Sequence, residues 1–120
     1  KRDYHLIPKN SNENLVETNH LLYHLIEFIS RKEAIEVHTL KSDSMTKEVV
    51  LARYIIFYLA RLYNKGNGTL TFKFIGNGLN KDHASVMYGC GIIKDKMEKD
   101  LMFGAKIDQY KTDFTKIFKL

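Results

Sequence analysis

Asp82-His83-Ala84-Ser85-Val86-Met87-Tyr88-Gly89-Cys90-Gly91-Ile92 is the stretch on which the reading of this 120-residue chain turns. Val86, Cys90, Ile93 and Met97 recur at i, i+4, i+7 and i+11, the buried stripe of an amphipathic helix. Asn80 or Asp82 can cap its start. That stripe turns Asp82, His83, Ala84 and Ser85 outward. Gly89 and Gly91 cost roughly 1 kcal/mol each relative to alanine inside a helix, and close approach of a neighbouring helix is the expected reason for both. Cys90, on the stripe, reads as inert packing.

Working back from this helix, Gly76-Asn77-Gly78-Leu79-Asn80-Lys81 is turn-forming. Before it, Leu70, Phe72 and Phe74 alternate with Thr69, Thr71 and Lys73, which is strand periodicity in strand-favouring residues. Asn64-Lys65-Gly66-Asn67-Gly68-Thr69 is a loop; it lacks the G-x-x-x-x-G-K-[ST] pattern of a phosphate cradle. A helix from Asp43 or Ser44, as cap, to about Asn64 is expected, with Glu48 in its first turn. It buries Val49, Ala52, Ile56, Leu59 and Leu62 or Tyr63 on one side and projects Arg53, Phe57 and Arg61 from another. A first helix from about Glu13 to Ser30 carries Leu15, Leu22, Leu25, Ile26 and Ile29, and Ala34, Ile35 and Val37 lead into Leu40. Residues 1–12 read as a flexible arm. Ile107, Tyr110, Phe114, Ile117 and Phe118 mark a last helix over about 105–118.

Charge is concentrated rather than spread. Residues 41–81 hold seven Lys/Arg against two Asp/Glu, the flanking 1–40 five against six, and 82–120 seven against six. The net charge of +5 therefore lies in the segment leading into the 82–97 helix, as suits a polyanionic partner. Length and a 44% hydrophobic content fit one domain over residues 13–120 that buries its own core. The one cysteine excludes an internal disulfide and points to a reducing compartment. No apolar run reaches the ~20 residues of a membrane span. His20 and His24 have the i, i+4 spacing of a zinc pair, but Leu21 stands where H-E-x-x-H needs glutamate, and no third ligand is in view. Nothing resembles a nucleophile with an oriented base. No catalytic residue, metal or cofactor is expected.

Asp82-His83-Ala84-Ser85-Val86, together with Leu40-Lys41-Ser42, Ala52-Arg53, Tyr58-Leu59-Ala60-Arg61 and Ile75-Gly76 at matching distances, resembles the DNA-binding domain of the DnaA replication-initiator family over about 22–100. The resemblance implies an all-α domain of five or six helices with a central helix-turn-helix. It also implies a short helix, not a strand, before Ile75-Gly76. In such a motif the first turn of the second helix enters the major groove. Asp82 then suits cytosine N4, His83 a purine or thymine O4, and Ala84 a thymine methyl. Lys47, Arg53, Arg61, Lys81, Ser85 and Lys94 are the expected phosphate contacts.

The sequence departs from the family pattern in several places. Ala84 replaces the usual threonine, and Lys81 stands in place of an arginine after a turn one residue shorter. Ser44 and Met45 fall near a minor-groove arginine, leaving Lys47 as the substitute. Gly91 and Ile92 replace basic residues, with Lys94 the nearest cation. These changes bear on site preference more than on duplex binding itself. The expected function is double-stranded DNA binding in replication initiation or its regulation, in a cytoplasmic, nucleoid-associated protein. The competing expectation is a helical protein-interaction module or transcriptional regulator with altered DNA specificity. A protein partner or a larger parent protein is compatible with either.

Overall fold

The computed structural model describes residues 11–64 and 69–118, with the backbone alone for 11–19. The expected flexible arm, apart from Ser11 and Asn12, and the glycine-bearing loop at 65–68 lie outside the described residues. Six helices follow in order: α1 (Ser11–Glu33), α2 (Val37–Leu40), α3 (Lys47–Leu62), α4 (Phe72–Asn77), α5 (His83–Lys99) and α6 (Leu101–Phe118). There is no strand among the described residues. The all-α expectation holds.

The α1 stripe falls as its spacing predicts, with Leu22, Leu25, Ile26 and Ile29 buried and Leu21 and Phe28 beside them. Ala34 ends the helix at φ 57°, a left-handed conformation usually given to glycine. The Ile35 amide bonds back to the Ser30 carbonyl at 3.0 Å, and the Ser30 hydroxyl donates to the Ile35 carbonyl at 2.6 Å. These bonds satisfy groups that the helix end leaves without partners.

Helix α3 sits at the centre, packed on α1, α2, α4 and most extensively on α5. Its environment corrects the expected outward stripe, because Arg53 and Phe57 are buried along with Val49, Ala52, Ile55, Ile56, Leu59 and Ala60. Neighbours on nearly every side leave little of this helix for solvent. Its start is also later than expected: Thr46, not Asp43 or Ser44, is the N-cap, and it makes no side-chain capping bond.

The segment with strand periodicity is helical from Phe72 onward. The Thr71 hydroxyl caps α4 by accepting from the Phe74 amide at 3.0 Å. Ile75 and Leu79, four apart, are fully buried. The helix and the turn that follows it place both in the core, whereas a strand here would have no pairing partner among the described residues. Beyond α5, Asp100 caps α6 by accepting from the Phe103 amide at 3.0 Å. Helix α6 starts four residues earlier than expected and buries Phe103, Gly104, Ile107 and Phe114. It runs antiparallel to α1, joined by Lys106 to Glu33 at 3.0 Å and by the Tyr110 hydroxyl on the same carboxylate at 2.5 Å.

Candidate nucleic-acid interface

The turn between α4 and α5 is built on two residues. A side chain at Gly76 would bring its Cβ to 2.5 Å from the Lys81 carbonyl oxygen and 3.1 Å from that of Asp82, so only glycine fits. The Gly76 carbonyl accepts from the amides of Leu79 at 2.9 Å and Lys81 at 2.8 Å. Asn80 takes the left-handed conformation, φ 59°, which asparagine tolerates better than most residues. The chain thereby reverses in a few residues and delivers Asp82 to the head of α5.

Of the two candidate caps, Asp82 is the one used. Its Oδ1 accepts from the Ser85 amide at 2.9 Å. Hydrogen bonds from the Ser85 amide and hydroxyl hold its carboxyl below the usual carboxylate range, so it is ionised and can only accept. One oxygen of Asp82 and the amide of Ser85 are thus committed to the helix cap. His83 and Ala84 stand exposed beside it.

Gly89 permits the closest packing of α5 on α3. A Cβ there would lie 2.5 Å from Cδ1 of Tyr54 and 3.1 Å from Cδ2 of Phe57. Gly91 does not share this reason, since nothing lies within 4 Å of where its Cβ would be. The expectation of helix contact at Gly91 is corrected, because that position faces solvent. Val86 and Ile93 are fully buried, while Cys90 and Met97 are half-buried on the same stripe. Burial pushes the Cys90 thiol up to about 11, in keeping with an unreactive role.

Three of the expected phosphate contacts have their donors engaged within the protein. The Arg53 guanidinium, 3% exposed, donates from Nε to the Leu40 carbonyl at 2.8 Å. Its Nη2 donates to the Ser42 carbonyl at 2.8 Å and to that of Thr39 at 3.4 Å. The Lys81 ammonium donates to the same Ser42 oxygen at 2.7 Å, and the Asn80 side-chain amide to the Lys41 carbonyl at 3.2 Å. Desolvation lowers the affinity of both cations for their protons, and the nearby Arg53 charge adds to the effect on Lys81. The Val37 and Thr39 carbonyls of α2 accept from the Lys41 and Ser42 amides at 3.1 Å, which leaves the Leu40 and Ser42 carbonyls to the two cations, and cations suit that end of a helix. Arg53, Lys81 and Asn80 therefore form a clasp that locks the 39–42 segment to the helix-turn-helix turn. Arg61 lies half-buried, donating from Nη1 to the Leu70 carbonyl at 2.8 Å and stacked 4.1 Å over the Phe72 ring.

Lys47 and Lys94 are exposed. Lys47 opens α3, and Lys94 stands on α5 about 16 Å along the axis from His83 at 1.5 Å per residue. Met87 and Tyr88, 52% and 63% exposed, lie one turn after His83 and Ala84 and continue their face. Both fall off the Val86–Cys90–Ile93 stripe, which was the available sign that they point outward. Met45 is exposed on the loop before α3. Among the described residues, no three His, Cys, Asp or Glu side chains come together as a metal site, and the His20 and His24 rings meet edge to face. No described helix is long and apolar enough to cross a membrane.

Residues 23–93 match the family described as bacterial DnaA protein helix-turn-helix. Similar proteins include the chromosomal replication initiator protein DnaA of Bacteroides thetaiotaomicron, 33% identical over 85 residues, covering 71% of this chain and 17% of that protein. The DnaA 2 initiator of Chlamydia trachomatis is 33% identical over 79 residues, 66% of this chain and 16% of its own length. The Campylobacter concisus DnaA is 28% identical over 106 residues, 86% and 24% respectively. The chain thus spans no more than about a quarter of the length of these relatives. No solved structure matches it.

Proposed function

The chain belongs to the bacterial DnaA helix-turn-helix family, and from that premise we propose that residues 13–120 form one domain that binds double-stranded DNA through α4 and α5, serving replication initiation or its regulation. The observation that carries this is the first turn of α5. It is capped, exposed and held rigidly to α3, so it can enter a major groove without rearrangement. His83 and Ala84 are the base readers, with the uncommitted oxygen of Asp82 available to a cytosine amine. Lys47, at the head of α3, and Lys94, on α5, contact phosphates. The Ser85 hydroxyl and Arg61, each already bonded within the protein, contribute less. Arg53 and Lys81 are positioning residues that set the angle between the 39–42 segment and the reading helix. The domain acts by binding and not by catalysis. Any duplex opening requires other parts of an initiator. Its place of work is then the cytoplasm, on the nucleoid.

Site selection from random duplex followed by titration at several salt concentrations tests this. With two to three phosphates neutralised, log K should fall against log salt with a slope of about −2 to −3. His83→Ala should cost about 1–3 kcal/mol on the selected site and much less on random duplex. A slope near zero would refute groove binding, and equal losses on both duplexes would refute base reading by α5.

A further inference from the structure

Helices α1 and α6 enclose a groove whose lining includes no residue of the α4–α5 turn. It comprises a cavity of about 530 Å³ lined by Phe28, Arg31, Lys32, Asp113, Lys116 and Ile117. A second of about 180 Å³ continues it past Phe114 to His24 and Phe118. Its floor is aromatic: Phe28 meets Phe114 at 5.4 Å between ring centroids, and Phe114 stacks on Phe118 at 5.4 Å. Its rim carries three cations against one acid. That acid, Asp113, accepts from Gln109 on its own helix at 2.8 Å. Ile117 stands 65% exposed at the lip. Residues 94–118 lie beyond the part of the chain that the family match covers.

We propose that this groove docks a short acidic amphipathic helix of a protein partner. His24, Phe28 and Arg31 at i, i+4 and i+7 on α1 face Phe114, Ile117 and Phe118 on α6, the spacing into which a third helix lays apolar anchors. From His24 to Lys32 the groove is about 12 Å long, two helical turns at 1.5 Å per residue. Charge selects the occupant: Arg31, Lys32 and Lys116 attract carboxylates and repel the basic face of another copy of this chain. Shape separates a helix from a bilayer. The apolar floor is recessed, Phe28 and Phe114 being 4% and 1% exposed, whereas a membrane surface favours protruding apolar groups.

The probe is a 14-residue amidated peptide with leucine at helical i, i+3, i+4 and i+7 positions and glutamate elsewhere, labelled for fluorescence anisotropy. Saturable binding in the micromolar range is expected, undiminished when the protein is already saturated with duplex. Ile117→Glu should weaken it at least tenfold, as should Arg31→Glu combined with Lys116→Glu, with melting temperature and duplex affinity unchanged. Ile117 and the two cations are exposed, so these variants fold. No peptide binding would overturn the proposal. So would equal binding of a lysine-for-glutamate peptide, unaltered binding by Ile117→Glu, self-association at the groove in sedimentation, or binding to anionic phospholipid vesicles with the peptide left free.

Discussion

Replacing Arg53 with methionine keeps most of the side-chain volume and removes its donors. The Leu40 carbonyl, on a residue with no exposure, then loses the Nε bond at 2.8 Å. Ser42 keeps the Lys81 ammonium as a partner, and the Thr39 carbonyl keeps the Ser42 hydroxyl at 2.6 Å. One orphaned buried carbonyl costs about 1–3 kcal/mol, and charge-assisted bonds about 1.5–3 kcal/mol. Allowing for the bonds that remain, a loss of about 2–4 kcal/mol follows. For a domain of this size that is a fall in melting temperature of about 10–20 °C. Arg53→Lys should recover only part of it, because an ammonium cannot reach two carbonyls as a planar fork does. Thermal unfolding by circular dichroism, paired with DNA titrations well below the transition, separates scaffold from contact. Arg53→Met should leave the salt slope unchanged. Lys47→Ala should leave melting unchanged and reduce the slope by about 0.9. An Arg53→Met protein with normal melting and a reduced slope would refute the clasp and return Arg53 to the DNA.

The two helical glycines should behave oppositely: Gly91→Ala should stabilise by about 1 kcal/mol, whereas Gly89→Ala should destabilise because its Cβ meets the Tyr54 ring, both read from urea unfolding midpoints. Asp82 has a depressed carboxyl pKa, so its cap contributes stability above the ordinary carboxylate value and loses it as pH falls through the lower folded value. The melting deficit of Asp82→Ala should therefore be largest near neutrality and narrow on acidification to about pH 3, and a deficit independent of pH would refute an ionised cap. With the Cys90 thiol at about 11 instead of its usual 9.0, alkylation by iodoacetamide near pH 8 should run about a hundredfold slower than that of a free thiol, as followed by mass spectrometry.

Periodicity was enough to identify the long helices, because a helix that buries one face writes that face into the chain every three or four residues. The α1 stripe and the outward first turn of α5 are both legible this way. Gly76 was marked instead by the family resemblance, through the Ile75-Gly76 pair. Where neighbours surround an element on nearly every side the inference fails. Helix α3 touches four others, so the polar label on Arg53 gave the wrong side. Nothing in the sequence near Arg53 says that the end of α2 lies opposite, with carbonyls in need of donors. Lys81 misled for the same reason: its partner is 39 residues away. Leu70, Phe72 and Phe74 alternate as a strand would, yet a strand needs a partner. Burial of Ile75 and Leu79 in the core outweighs a local preference worth less than about 1 kcal/mol. Local side-chain pattern thus determined the long helices and which turn faces out, while the short helix α4 came only from the family resemblance. Which cations face solvent was decided only by tertiary packing, because a charged side chain goes wherever unpartnered carbonyls are brought to it.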